Sequence, residues 1–527
     1  MWLINTTTMC LEQVFYPEDE KYAILSHTWG AEEVSFQEFA DPERRKQKRG
    51  FAKIEKTCEL AKSRGLHYAW VDTCCIDKSS SAELSEAINS MFNWYRWSSV
   101  CFAYIEDLVL PGSDVDFSWL SKDVTYRWFT RGWTLQELIA PQEVEFYTRS
   151  WRHCGNKSSL VDSLSRVTGI DKTILLDNKR LSALPVARRM SWASRRQTTR
   201  VEDMAYCLLG IFSVNMPMLY GEGDRAFIRL QEEIAKETDD LSMFAWIESR
   251  GPSTANTFEP AEYLSGPGSV LENFHEFSGI LASSPRGFAN CGDIMRFRNP
   301  LDPAFDTFSM TNNGVKLKAE LGETEDLKCI MNLSCVRRTT AKNPGELEWI
   351  GIFLTKATFG KYVRLQPDKL FYTSDRANYS TEKNTIYLHK FLRPEAKDQI
   401  LQERRGRMYI DFTFHVPRGV SRQKDGWYSV SSPVAAPETQ WVPESGGGYF
   451  LTMEPEHHDA CAPDLYETFA GLLKFNLKYH GLHVCTCVLV CGYFNGLPSP
   501  SSELGPSAIL FSDQDEDEHT KAIFNAV

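Results

Sequence analysis

The stretch Arg127 to Pro141 reads RWFTRGWTLQELIAP and holds the residue types best suited to chemistry. Glu137 follows a Trp-rich, Arg-bearing turn, on a short helix ended by Pro141. Arg127 and Arg131 lie close in sequence, as do the rings of Trp128 and Trp133. Such surroundings are expected to keep a carboxylate ionised and facing a developing positive charge. A structural reading stands beside the catalytic one. Thr134-Leu135-Gln136-Glu137 also spells a capping box, in which the Glu reaches back to the N-cap amide.

The elements that must position Glu137 alternate between strand and helix. Tyr22 to Ser26 (YAILS) is an apolar run that breaks into His27-Thr28-Trp29-Gly30, a strand entering a loop. Ile54, Thr57, Cys58 and Ala61 share a helical face that Gly65 ends. Tyr68 to Val71 is a second strand, ending at Asp72. Leu84, Ile88, Met91, Phe92 and Tyr95 mark an amphipathic helix. Val100 to Ile105 and Val144 to Tyr147 are further strands, with a helix over Arg127 to Ala140 between them. This alternation predicts a parallel sheet with helices on both faces. Ligands in such sheets bind beyond the carboxyl ends of the strands. Ser26, His27, Trp29, Gly30, Asp72 and the turn before Glu137 are expected at that edge. Plainer roles stay open: Trp29 anchoring a loop, His27 hydrogen-bonded, Gly30 shaping a turn, Asp72 capping the next one.

At 527 residues the chain exceeds one ordinary domain. We expect an α/β domain over 1–150, a helical extension over 151–250 and a β-rich, sandwich-like domain over 252–527. In the last, Ile410, Phe412, Phe414 and Val416 alternate with polar residues, as do Val315, Leu317, Ala319 and Leu321. Strands are expected near Cys329 to Val336 and Trp349 to Leu354, and one helix around Leu465, Phe469, Leu472 and Leu473. The net charge of -12 argues against nucleic acid as partner. No apolar run is long enough for a transmembrane helix, and no signal peptide is visible. Fourteen cysteines without a compact framework read as reduced thiols, hence a cytoplasmic protein. Cys74 and Cys75 invite a thiol nucleophile with His27 or His67 as base, but strand-end packing is the commoner use of such a pair. Cys485, Cys487 and Cys491, with His457, His458 and Cys461 upstream, match no zinc spacing, so no metal site is expected.

Three motifs together resemble the fungal heterokaryon incompatibility (HET) domain family. They are YAILSHTWG (Tyr22 to Gly30), WVDTCCID (Trp70 to Asp77) with the helix after it, and RGWTLQELIAP (Arg131 to Pro141). The run from Met190 to Ile234 resembles the segment that commonly follows. The resemblance covers about the first 247 residues. It implies a role in non-self recognition and programmed cell death, and a flavodoxin-like fold similar to Toll/interleukin-1 receptor (TIR) domains. WTLQEL also resembles the WC-x-x-E-L segment of NAD-cleaving TIR domains, with Thr134 in place of Cys. Carried over, Glu137 becomes the catalytic residue and NAD the substrate, with no bound prosthetic group. A pocket lined by Ser26, His27, Trp29, Gly30, Asp72 and Trp133 would hold it, and self-association would switch it on. The alternative is a non-enzymatic module that docks on an unidentified protein partner.

Overall fold

The computed structural model describes residues 1–248 apart from 111–118 and 122–124. It further describes 277–297, 308–323, 328–338, 346–357, 361–376, 379, 383–392 and 397, and the backbone of strands between 407 and 512. The chain divides into two compact units: 1–256 with 276–392, and 257–275 with 393–527.

The first unit opens with a seven-stranded mixed sheet. Its strands are β1 (Trp2–Asn5), β2 (Leu11–Gln13), β3 (Tyr22–His27), β4 (Tyr68–Trp70), β5 (Val100–Tyr104), β6 (Val144–Tyr147) and β7 (His153–Asn156). They lie in the order β2-β1-β4-β3-β5-β6-β7. The four middle strands are parallel, and they are the four read from the sequence. Numbered among themselves they run second, first, third, fourth, the order in which flavodoxin-like sheets begin. The expected all-parallel sheet is corrected at both sides, because β1 joins β4 and β7 joins β6 antiparallel. Every residue of β3, β5 and β6 is buried, as befits central strands covered on both faces.

Helices α1 (Phe36–Phe39), α2 (Pro42–Lys46) and α3 (Phe51–Ser63) link β3 to β4. Gly65, at φ +75°, lets the chain leave α3 at little strain. Helix α4 (Ser81–Trp97) begins where the Ser80 hydroxyl accepts the Glu83 amide, and it buries Ala87, Ile88, Met91, Phe92, Trp94 and Tyr95. The helix expected over Arg127 to Ala140 is two helices, α5 (Arg127–Thr130) and α6 (Thr134–Ile139). The break is tertiary. Arg131 is extended and bridges Gln197, whose amide donates to Thr130 O at 2.7 Å and whose carbonyl accepts from Gly132 N at 2.9 Å. A Cβ on Gly132 would stand 2.5 Å from Thr198 Cγ2, so any side chain here would force Thr198 to shift. Residues 157–248 are mainly short helices, closing with Arg225–Glu237 and the 3-10 turn Leu241–Phe244.

Residues 277–392 of the same unit hold strands β8 (Phe277–Ser278), β9 (Met295–Arg296), β10 (Phe308–Thr311), β11 (Gly314–Glu323), β12 (Lys328–Arg338), β13 (Leu347–Lys356), β14 (Lys361–Leu365), β15 (Phe371–Thr373) and β16 (Lys383–Leu388). The expected sandwich is corrected here: β11, β16, β14, β13 and β12 pair in turn, and β12 returns to β11. The result is a closed, barrel-like ring. Strand β11 makes closure feasible by pairing β16 through Val315–Glu320 and β12 through Leu321–Glu323. A bulge in β12 between Asn332 and Cys335, with Ser334 at φ +50°, adds the bend. The ring is tied to the helices. Gln231 exchanges two hydrogen bonds with Ala282, at 2.8 and 2.9 Å, and Trp246 Nε1 donates to Ile280 O at 2.8 Å. Arg364 is fully buried, lies over the Trp246 ring and donates to Phe244 O and Trp246 O.

In the second unit, strands Arg407–Ile410, Tyr449–Thr452 and Trp441–Pro443 form one sheet. Another is built around Ala470–Tyr479, Leu482–Gly492 and Ser507–Ser512. Leu472 and Leu473, expected in a helix, are in the strand Ala470–Tyr479, while Leu465 and Phe469 lie outside the described residues. So do Phe412, Phe414, Val416, His457, His458 and Cys461. Cys485, Cys487 and Cys491 lie in the strand Leu482–Gly492.

Arg364 generates a stability prediction. Its removal leaves two buried carbonyls without donors. Arg364→Met is expected to cost about 2–4 kcal/mol, read as a fall in the denaturation midpoint. An unchanged midpoint would contradict the clamp.

Candidate functional site

Ser26, at the end of β3, and Glu137, on α6, meet in the interior. The Ser26 hydroxyl donates to Glu137 Oε2, and Trp128 Nε1 donates to Ser26 Oγ at 2.8 Å. Glu137 is 7% exposed and Ser26 is 0% exposed. The capping-box reading fails: Trp133 is the N-cap and makes no side-chain cap. Thr134 instead donates its hydroxyl to Trp128 O at 2.5 Å and Arg131 O at 3.0 Å. The Glu137 carboxylate is therefore spent across the fold and not on its own helix.

The expected electrostatics also need correction. Burial pushes the Glu137 carboxyl up to about 8, the Ser26 hydrogen bond opposes this, and the Asp72 charge adds to it. The group is then mostly protonated at pH 7, not ionised. The cation that acts on it is Arg196, not Arg127 or Arg131. Arg131 turns to Thr199 at 3.2 Å. Arg196 is 3% exposed, and its Nη1 donates to Arg131 O at 2.8 Å and Thr134 Oγ1 at 2.9 Å. Burial lowers its pKa to about 10.

A second cluster stands at the carboxyl ends of β3 and β4. His27 Nε2 meets Asp72 Oδ1 at 2.9 Å, and Trp29 Nε1 donates to Asp72 Oδ2 at 2.7 Å. Burial opposes a charge on Asp72, but the His27 hydrogen bond and charge, Lys78 and the Trp29 hydrogen bond hold its carboxyl down to about 2. The other imidazole nitrogen, Nδ1, lies 2.9 Å from Lys53 Nζ, and Lys53 also binds Glu33. Glu33 accepts from Gly30 N at 2.6 Å, which fixes the loop after β3. Trp29 is 48% exposed, with Lys78 Nζ 3.8 Å from its ring centroid.

Ser26, His27, Trp29, Gly30 and Asp72 thus gather at one edge, with Glu137 joined to them through Ser26. Trp133 goes elsewhere, because its side chain hydrogen-bonds Asp203 in the helical extension. Lys53, Glu33, Lys78 and Arg196 were not read from the sequence. Lys53 had one weak signal, its place beside the apolar face of α3. Arg196 had none, since nothing separates it from the exposed Arg195 beside it. Cys74 and Cys75 are buried, each packed against the Val71 backbone, and burial pushes the Cys74 thiol well up. Of the two bases expected for them, His27 is engaged by Asp72 and Lys53, and His67 is exposed at the other end of β4. Among the described residues no group of three or more His, Cys, Asp or Glu could hold a metal ion, and no helix is long and apolar enough to cross a membrane.

The raised Glu137 carboxyl makes stability depend on pH. A carboxyl raised from 4.5 to about 8 stabilises the fold fully below about 4.5 and loses that contribution as pH rises through 8. Glu137→Gln removes this titration. Its stability relative to the unaltered protein is expected to grow by a few kcal/mol between pH 5 and 9, read from denaturation midpoints. A difference that does not move with pH would show that Glu137 is not a buried acid.

Residues 22–109 match the family described as Heterokaryon incompatibility protein (HET), and residues 225–316 match one described as a domain of unknown function, DUF8212. Over 226 residues the chain is 49% identical to the vegetative incompatibility protein HET-E-1 of Podospora anserina. That match covers 42% of this chain and 16% of HET-E-1, so the chain spans a small part of the relative's length. No solved structure matches. The strand, loop and Asp72 turn that build the edge described above all fall within residues 22–109, and this chain carries a domain of the heterokaryon incompatibility (HET) family.

Proposed function

We propose that this HET domain releases nicotinamide from NAD, and that the loss of NAD carries a non-self recognition signal toward cell death in the cytosol. The observation that carries the reading is the Ser26–Glu137 pair: a buried carboxyl at the carboxyl edge of a parallel sheet, held from outside its own helix. Breaking the ribosyl C–N bond gives the sugar carbon oxocarbenium character, as in glycoside hydrolysis. Nicotinamide leaves neutral, so no general acid is needed. An ionised Glu137 beside the ribose would stabilise that charge. The resting carboxyl is mostly neutral, so the cationic nicotinamide ring must itself favour the charged form on binding. TIR-like self-association would open and order the site, which also restrains NAD loss at rest.

One observation favours a second reading, a non-enzymatic interaction module. Glu137 at 7% exposure has its hydrogen bond satisfied inside the protein, as a structural residue would.

Product analysis decides between them. The full chain, alone and under enforced oligomerisation, is incubated with NAD. Nicotinamide release is expected, at least 100-fold slower in Glu137→Gln. The kcat/KM is expected to rise about tenfold per pH unit up to about 8 and then level, with kcat levelling at lower pH. Equal release by the Gln variant, or no release in either state, would leave the interaction reading.

A further inference from the structure

Of the cations that border the Glu137 edge, two are already committed. Arg196 is buried and bound to Arg131 O and Thr134 Oγ1, and Lys53 is held by Glu33 and His27. Lys78 differs. It is exposed and forms no ion pair among the described residues, and its ammonium rests on the Trp29 ring face at 3.8 Å. That ring is fixed in turn by the Asp72 carboxylate at 2.7 Å. Lys78 lies beyond the β4 end at Trp70 and on the ring of Trp29, which puts it at the edge where open α/β sheets take their ligands. Asp77 and Glu83 are engaged elsewhere: Asp77 accepts from Gln37 and Ser79, and Glu83 accepts from the Asp77 amide, while Asp72 and Glu33 act on Lys78 through their charge without an ion-pair contact.

We propose that Lys78 is the phosphate-gripping residue of this site, binding the diphosphate of a dinucleotide whose ring lies against Trp29. The location rests on the Glu137 reading, while the ligand chemistry comes from Lys78 itself. The ionised Asp72 lines the same edge, and Glu137 adds a second negative charge only when it ionises for the reaction, so a diphosphate there meets repulsion. A cation free to move off the ring is what admits an anionic ligand there. An ammonium on an aromatic face exchanges a weak cation–π contact for a charge-assisted hydrogen bond. Lys78 is then a specificity residue for phosphorylated over unphosphorylated nucleosides, and it takes no part in bond breaking.

The test is a calorimetric titration of the full chain with ADP-ribose and, separately, with adenosine. ADP-ribose is expected to bind at least tenfold more tightly than adenosine. Lys78→Met should weaken ADP-ribose at least tenfold and leave adenosine unchanged, and Lys78→Arg should restore most of the loss. Equal affinity for the two ligands, no binding of ADP-ribose, or an ADP-ribose affinity unmoved by Lys78→Met would each overturn the proposal. Nicotinamide release from NAD is measured on the same preparations. Lys78-dependent binding without release would sink the glycohydrolase reading and leave the phosphate grip standing.

Discussion

The hydrogen bond from Ser26 to Glu137 joins the end of the first parallel strand to a helix more than a hundred residues later. A carboxyl buried to 7% exposure is costly unless its oxygens find donors. Here Ser26 supplies one donor, and the Trp128 indole holds Ser26 in place. Strand β3, the α5–α6 break and the core around Trp128 therefore depend on one another. Proton uptake by Glu137 lowers the cost of burial further, and that is why burial, the largest influence on this group, leaves it mostly uncharged.

Around that bond the structure sorts its charges by accessibility. Asp72 stays ionised because His27, Lys78 and Trp29 surround it at the strand edge. Glu137 sits deeper and loses its charge. Two carboxyls with pKa values pushed apart in this way are suited to different tasks. The charged Asp72 binds His27 and Trp29, and the neutral Glu137 accepts from Ser26 in the interior.

Much of the first sheet was legible in the sequence. Tyr22 to Ser26, Val100 to Ile105 and Val144 to Tyr147 are apolar runs too short for helices, so their strand identity follows from length and residue type. The parallel pairing of these strands and Ser26 at the edge followed from that alternation. What was not legible depended on distant partners. Thr134 to Glu137 has the spacing of a cap, and only Trp128, Arg131 and Arg196 around Thr134, and Ser26 on Glu137, reveal that both residues are committed elsewhere. The break at Gly132 needs Gln197, 65 residues later. Alternating apolar residues in β11 to β13 are the same in a sandwich and in a ring, since closure is set by which end of β11 meets β12. Leu472 and Leu473 misled because two adjacent leucines fit either period.

The Gln197 bridge also bears on how such a domain can be exchanged between relatives. Residues 127–139 carry the acid, but their geometry is written partly in 196–198: Arg196 on Thr134, Gln197 on the Thr130 and Gly132 backbone, Thr198 against Gly132. A hybrid cut between these two stretches would mate a helix with a strap that evolved for another. Both stretches must then be inherited as a block, and viable crossovers should fall before Arg127 or after Thr198, seldom in the interval.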